Sequence, residues 1–428
     1  MTIIVLTLAF ILLVLVGIPI SFAMGISSLV ALFFHGQLPY NLIVHRTLMG
    51  VDSFVLLAIP LFIFAGTIME QGGISEKLVR FAQTLLGRFR GGLPMVVVGS
   101  TMLQSGISGS TVADVSAMSA MTLEPLEKEG YSRPYSLSVI GSSCAFAILI
   151  PPCILMVIVA AVANTSVVAV FAAGIVPSIL IGAMMLAFLH VQARIHNRPA
   201  GEKASFAEVA KGFWNALLAL GVPILIFGGI RAGVATVTEM AAIAVLYSLV
   251  VGGLVYRRLS WRRIYDALVE TCVSTGVITM LMGFAMIFGY LLATEGVPQA
   301  VASWMKAAEI PAWGVLVITA IIFVFVGAVL EGAPAVLIFV PILLPVVRSL
   351  GIDIVHWLTV VVLASGIGLF VPPTGLAVLV ACSVGKVRMD QMIKPLIPFL
   401  LLLLAGLAVV IFVPWFSTAL PQAMELTY

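Results

Sequence analysis

Residues 105–114 read SGISGSTVAD, a run of small and hydroxyl-bearing residues set between two apolar arms. LPMVVVGSTMLQ (93–104) precedes it, and TVADVSAMSAM (111–121) leads on to the charged EPLEKEG (124–130). An arm of about a dozen residues is too short to cross about 30 Å of hydrocarbon as helix, which takes about 20. Two such arms joined by a polar tip suit a re-entrant hairpin, which enters and leaves on one face. Gly106-Ile107-Ser108-Gly109 also resembles the nucleophile loop of an intramembrane serine hydrolase, so Ser108 is either an attacking group or part of an oxygen-rich ion site.

The surroundings of the tip place the whole chain in a membrane. Of 428 residues, 62% are hydrophobic and 9% charged, and mean hydropathy is +1.23, outside the range of a soluble domain. Spanning-length apolar runs recur from end to end, without the alternation of a membrane barrel. Spans are predicted over roughly 3–21, 23–38, 50–70, 135–163, 166–192, 214–231, 237–256, 267–294, 355–385 and 396–418. The N-terminal run lacks the basic region and small-residue cleavage site of a signal peptide and is expected to be a retained span. With the N-terminus outside, all but four of the 21 Lys and Arg residues lie on the cytoplasmic side, the exceptions being Arg46, Arg231, Lys306 and Arg348; the positive-inside rule favours this orientation. The net charge of +3 has no basic tract behind it, which argues against nucleic acid. Cys144, Cys153, Cys272 and Cys382 are scattered among apolar residues without CxxC spacing and are expected to pack, not to bind metal or pair.

The chain also repeats itself. MEQGGISEKL (69–78) matches LATEGVPQAV (292–301), EPLEKEGYS (124–132) matches LPVVRSLGID (344–353), and AILIPP (147–152) matches GLFVPP (368–373). Gly73 to Gly296, Pro125 to Pro345, Gly130 to Gly351 and Pro152 to Pro373 are landmarks at offsets of 220 to 223. In the second half, the apolar run 311–347 breaks at Glu331-Gly332-Ala333-Pro334, the counterpart of SGISGS. Since the first half starts outside and the second inside, the repeats are expected to be inverted, as in secondary transporters with a midplane site. The predicted fold is an all-α polytopic membrane protein of two inverted-topology repeats, each with a re-entrant hairpin and a Pro-Pro-broken transmembrane helix. The first repeat occupies 1–192 (hairpin 92–122, broken helix 135–163). A cytoplasmic linker, 193–213, precedes the second repeat, 214–428 (hairpin 311–345, broken helix 355–385).

Proline donates no backbone hydrogen bond, so Pro151 and Pro152 are expected to free the carbonyls of Ala147 and Ile148, and Pro372 and Pro373 those of Gly368 and Leu369. At membrane depth such groups need a partner, either a neighbouring helix or water at a simple kink, or a cation at an unwound ion site. Two breaks, each paired with a polar tip, favour ion sites. Hydroxyls and glycine backbone are hard oxygen donors suited to a small cation, although small residues also serve close helix packing. Asp114, Glu239 and Glu331 fall within or beside apolar segments, where a charge costs at least about 2.5 kcal/mol, and each is a candidate site residue. Asp114 has a helix-capping alternative, Glu239 an interfacial one near Arg231, and Glu331 could neutralise a cation or carry a proton. A serine hydrolase needs a base. His35, His45, His190 and His196 fall near loops or span ends and His356 begins a span at the wrong depth, which argues against an enzyme.

MEQGGIS, SGISGSTVAD, ILIPP, GGIRAGVATVTEMAAIAVLYSLV, EGAP followed by PILLP, and GLFVPPTGL occur in the order and form that resemble the large membrane subunit, DctM or SiaM type, of tripartite ATP-independent periplasmic (TRAP) transporters. The similarity covers essentially the whole chain. It implies an elevator-type, sodium-coupled importer of an organic anion such as a C4-dicarboxylate, sialic acid or another sugar or keto acid, resident in a bacterial inner membrane. It also implies a periplasmic binding protein that delivers the substrate and a small four-helix membrane subunit, here expected as a separate chain. Carried over by motif, one Na+ site would use Ser105, Ser108, Ala147, Ile150 and Pro152, and a second Gly327, Glu331, Gly368, Val371 and Pro373. Substrate would lie near Ser110, Thr111 and Thr374. Three positions depart from the family pattern: Ala147 replaces a glycine, Val371-Pro-Pro-Thr374-Gly replaces TPPVG, and Glu331 stands where aspartate is common. A proton-coupled or single-component transporter of related fold is the alternative.

Overall fold

The structure, a computed structural model, describes residues 2–36, 38–39, 41–201, 205–231 and 233–426, with the backbone alone at Phe206, Asn215 and Arg231. Every named regular element among them is helical. Helices α1 (Thr2–Leu15), α2 (Ile20–His35), α3 (Asn41–Val51) and α4 (Ala58–Gln71) lead to α5 (Ile74–Leu86), whose buried Ile74, Leu78, Phe81 and Ala82 recur at helical spacing. Then come the hairpin arms α6 (Gly92–Ser108) and α7 (Thr111–Lys128), the half-helices α8 (Arg133–Ala147) and α9 (Ile154–Ala163), and the long α10 (Val167–Ile195). Three further helices, α11 (Phe206–Arg231), α12 (Val237–Val250) and α13 (Trp261–Thr294), precede a second succession of the same kind. It comprises α14 (Val297–Ala307), α15 (Ala312–Val329), α16 (Gly332–Ser349), α17 (Ile354–Gly368), α18 (Leu376–Gly385) and α19 (Met389–Phe412), followed by α20 (Trp415–Ala423). From α5 against α14 through α10 against α19, helix starts recur at offsets of 220 to 223 residues.

Seven helices among the described residues, α15 and α16 included, are long and apolar enough to cross a membrane. At about 1.5 Å per residue α8 rises about 22 Å and α9 about 15 Å, so neither half-helix spans alone. Several predicted boundaries shift. The first predicted span, 3–21, is cut at Leu15 because Gly17 takes a positive φ and Pro19 precedes α2. The predicted linker, 193–213, contracts, because α10 continues to Ile195 and α11 begins at Phe206. Both hairpins also run past their predicted ends, to Lys128 and Ser349.

Two helices form the centre. Every residue of α8 from Ser136 to Ala147 is buried, as is every residue of α17 from Val355 to Gly368, the mark of a helix enclosed on all sides. Between apolar helices in a membrane, close van der Waals contact replaces the aqueous hydrophobic effect as the source of packing energy. Small residues provide it here: a methyl group on Gly366 would collide with the Ala145 carbonyl, and one on Gly141 would meet the ring of the fully buried Phe370. The indole N–H of buried Trp357 donates to Thr319 Oγ1 at 3.2 Å, tying α17 to α15. The two broken helices therefore cross in direct backbone contact near their breaks.

Candidate functional site

At the first tip, α6 ends because Gly109 adopts a left-handed conformation (φ 63°) that only glycine takes without strain, and its N–H closes on the Ser105 carbonyl at 3.1 Å. Ser110 then caps α7, its hydroxyl accepting from the Ala113 N–H at 3.5 Å. The turn is short enough to hold the last α6 turn against the break in the next helix. Ser105 Oγ donates to the Ala147 carbonyl at 2.9 Å. A methyl group on Gly106 would lie 3.1 Å from both Ile150 Cγ2 and the Pro151 carbonyl, and one on Gly109 would lie 3.2 Å from the Pro152 carbonyl. Ser105, Ser108, Ala147, Ile150 and Pro152 thus share one locality.

Ser108 Oγ donates to Asp114 Oδ1 at 2.5 Å and accepts from the Ser110 N–H at 3.3 Å. Asp114 has no exposed surface, and its Oδ2 lacks a partner. Nearby in sequence, the buried Gln104 Oε1 and Thr111 Oγ1 lack partners too. Unpaired buried oxygens are costly, and together with the Ser105–Ala147 oxygen pair they fit a small cation held by hydroxyl and carbonyl oxygens. Asp114 is not the cap of α7, a role filled by Ser110, but the acceptor that fixes the Ser108 hydroxyl. That hydroxyl is bonded to a carboxylate, and His356 bonds Ser417 instead.

The breaks differ from the sequence expectation in one respect. Ala147, Gly368 and Leu369 do not have bare carbonyls: they accept from the N–H groups of Ile150 (2.8 Å), Val371 (3.0 Å) and Ala377 (3.2 Å). For Ala147 and Gly368 the reason is local tightening, since an i to i−3 turn just before the prolines takes up the acceptor that an α-helical N–H would have used; Leu369 is reached from beyond the break, by the first turn of α18. Both breaks have the same form, each with a cis bond between its prolines.

At the second tip the contact is almost pure backbone. A methyl group on Gly327 would lie 3.0 Å from the Ser365 carbonyl and 3.3 Å from Gly368 Cα. Gly327 and Gly368 are therefore brought together. Glu331 begins α16 as its cap residue without a side-chain capping bond, and it is exposed, as are Pro373 and Thr374; Val371 is half-buried. Glu239 is a correction. It is exposed, not buried, and forms a capping box with Thr236 at the start of α12, its carboxylate accepting from the Thr236 N–H at 2.7 Å. Its suggested neighbour, the Arg231 side chain, lies outside the described residues.

The hairpins exchange partners in a regular way. The first arm of each packs on the first half of its own broken helix, α6 on α8 and α15 on α17. The second arm packs on the second half of the other one, α7 on α18 and α16 on α9. Carbonyl ends of α6, α8, α15 and α17 thus gather at the tips and breaks, and so do amide ends of α7, α9, α16 and α18. Compared with known proteins, residues 7–416 match the model of the tripartite ATP-independent periplasmic transporter, DctM component. The chain belongs to this family.

Relatives of this DctM-family permease span nearly its whole length. YgiK of Salmonella typhimurium is 36% identical, covering 98% of this chain and 97% of its own. The C4-dicarboxylate TRAP transporter large permease protein DctM of Rhodobacter capsulatus is 33% identical, covering 96% and 97%. Others are named for sialic acid and isethionate. Among solved structures, the YdaH transporter of Alcanivorax borkumensis shares the fold, with a TM-score of 0.65 at 16% identity over 91% of this chain and 90% of its own. The family's members are transporter permeases, not enzymes. Sequence reasoning did not single out Gly66 or Gln104, which the structure places beside the first tip. Gly66 on α4 packs against the first tip, where a methyl group would lie 2.7 Å from the Ile107 carbonyl. Nothing in a single sequence distinguishes such a contact glycine from one that merely fits a crowded helix face.

Proposed function

We propose that this permease imports an organic anion by sodium symport. The observation that carries the reading is the exchange of helix ends. Carbonyl-bearing C-termini meet where α6 joins α8 and where α15 joins α17, and the partial negative charge there suits cations. Amide-bearing N-termini meet where α7 joins α18 and where α16 joins α9, and they suit an anion. Ser105, Ser108, Ala147, Ile150 and Pro152 would hold one Na+, and Gly327, Gly368, Val371 and Pro373, with Glu331 alongside, a second. Ser110, Thr111 and Thr374 would flank the substrate. Na+ supplies positive charge at tips that carry Asp114 and Glu331 but no cationic side chain, while the chain's own contribution is to order the tips so that the helix N-termini converge.

In this reading the repeats are inverted, both hairpins are re-entrant, and α6–α9 with α15–α18 move against a scaffold that includes α4, α12 and α13. The N-terminus is periplasmic and the membrane is the bacterial inner membrane. A small four-helix subunit and a periplasmic binding protein complete the machine, and the binding protein selects among C4-dicarboxylates, sialic acid and similar acids. Uptake into proteoliposomes containing all three components tests the reading. Accumulation should need an inward sodium gradient. Undiminished uptake with choline in place of sodium, or uptake that follows a proton gradient alone, rejects it.

A further inference from the structure

A cleft of about 280 Å³ lies away from the tips, where the end of α10 and the chain after it fold back onto the loop between α7 and α8. It is lined by Tyr131, Ser132, Tyr135, Gln192, His196 and Arg198, among others. On the orientation proposed above, this is the cytoplasmic edge of the membrane.

Its hydrogen-bonding groups are unbalanced. Gln192 Oε1 accepts from the Tyr135 hydroxyl at 2.7 Å, and the Gln192 carbonyl accepts from the His196 backbone N–H and lies 2.8 Å from His196 Nδ1. The carbonyls of Glu129 and Gly130 accept from the Arg198 guanidinium at 3.4 and 3.2 Å. Guanidinium N–H groups outnumber these bonds, the Gln192 amide N–H groups are unused, and Ser132 makes no side-chain capping bond although it precedes α8. The Gln192, Glu129 and Gly130 oxygens are taken, and donors remain.

The cation is also held in place. Tyr131 and Tyr135 stack at 5.5 Å with planes 13° apart, and Arg198 lies over Tyr131 at 4.6 Å. Of the acids nearby, Glu124 pairs with Lys128 and Glu127 with Arg133; Arg198 attracts the Glu129 carboxylate, a side chain that does not line the cleft. On the adjoining stripe of α10, one residue before Gln192 and one before His196, Val191 and Ile195 expose 53% and 72% of their surface.

We propose that this cleft binds the phosphate headgroup of an anionic membrane phospholipid, with Arg198 and Ser132 on the phosphate and the acyl chains along Val191 and Ile195. A basic pocket at the cytoplasmic ends of spanning helices is suited to such a headgroup, and a planar guanidinium fork to its oxygens. Headgroup occupancy would fasten the chain after α10 to the base of the first hairpin, so the lipid becomes part of the moving body.

The test is native mass spectrometry of the delipidated full-length chain, titrated separately with phosphatidylglycerol and phosphatidylcholine. Wild type should hold phosphatidylglycerol about tenfold more tightly than phosphatidylcholine. Arg198→Gln should remove that preference, and Ser132→Ala, which breaks no bond within the protein, should weaken it about threefold. Arg198→Lys should fall between, since charge is kept but the fork is lost. Equal binding of the two lipids by wild type overturns the proposal, as does unchanged phosphatidylglycerol binding by both Arg198→Gln and Ser132→Ala. Displacement of phosphatidylglycerol by millimolar inorganic phosphate overturns the lipid assignment in favour of a soluble phosphate.

Discussion

Ser108 carries much of the chemistry at the first tip because its one hydroxyl proton is committed. It donates to Asp114, and of the two oxygen lone pairs one accepts from the Ser110 N–H, which leaves the other for a cation. Ser108→Ala would remove a proposed cation ligand and the hydrogen bond that buried Asp114 Oδ1 accepts. The sodium concentration for half-maximal uptake should rise about tenfold or more, measured in proteoliposomes at fixed substrate. Glu239 gives the contrasting case. Because it closes a capping box on exposed surface, Glu239→Ala should lower the unfolding temperature slightly and leave sodium dependence unchanged. A shift in sodium dependence would return Glu239 to the site. The sequence showed both acids as charges among apolar residues and could not separate them. Burial is set by neighbours distant in the chain, whereas Thr236 three residues before Glu239 was a legible capping signal.

Among the elements, the breaks were the most legible and the second hairpin the least. Paired prolines cannot continue a helix, so both interruptions could be placed to the residue from composition alone. Arm length was a weaker guide. α6 and α7 run to 17 and 18 residues, as long as the 18 of α15 and α16, so the shortness read from the apolar arms does not hold for the helices; of the four, only α15 and α16 are also apolar enough to cross. Nor could the prolines reveal that tight turns would reclaim the carbonyls they release, because that depends on how the chain bends after the last helical turn. The contact between α8 and α17 is an element-scale property with its own prediction. Gly366→Ala would force the helices apart at the Ala145 carbonyl and should destabilise the protein by about 1–3 kcal/mol, read as a lower unfolding temperature in detergent. An unchanged melting curve would mean that the crossing is looser than the structure shows.

For the molecule as a whole, what matters is which bodies stay together. α4 packs most extensively on α12 and α13, yet Gly66 brings it against the first tip. If the hairpins travel, that contact exists in one arrangement and not in the other. Gly66→Ala should penalise the present arrangement by about 1–3 kcal/mol and leave the displaced one unaffected, shifting the population by about fivefold or more. Disulfide cross-linking between cysteines placed on α4 and α6 measures this shift, and an undiminished yield would argue for a fixed contact. The order of helices and the division into two similar halves were readable from repeated landmarks such as Gly73 and Gly296. The exchange of second arms between halves was not, because it is a long-range pairing that leaves no local mark.

The crossing of α8 and α17 has a consequence for ion counting. One rigid junction forms the back wall of both proposed ion sites, so ordering either break narrows the freedom of the other, and the second ion meets less entropic resistance than the first. Sodium activation of uptake should then be sigmoidal, with a Hill coefficient above unity. The number of ions moved per cycle would be a property of that single junction, not of two sites filling independently.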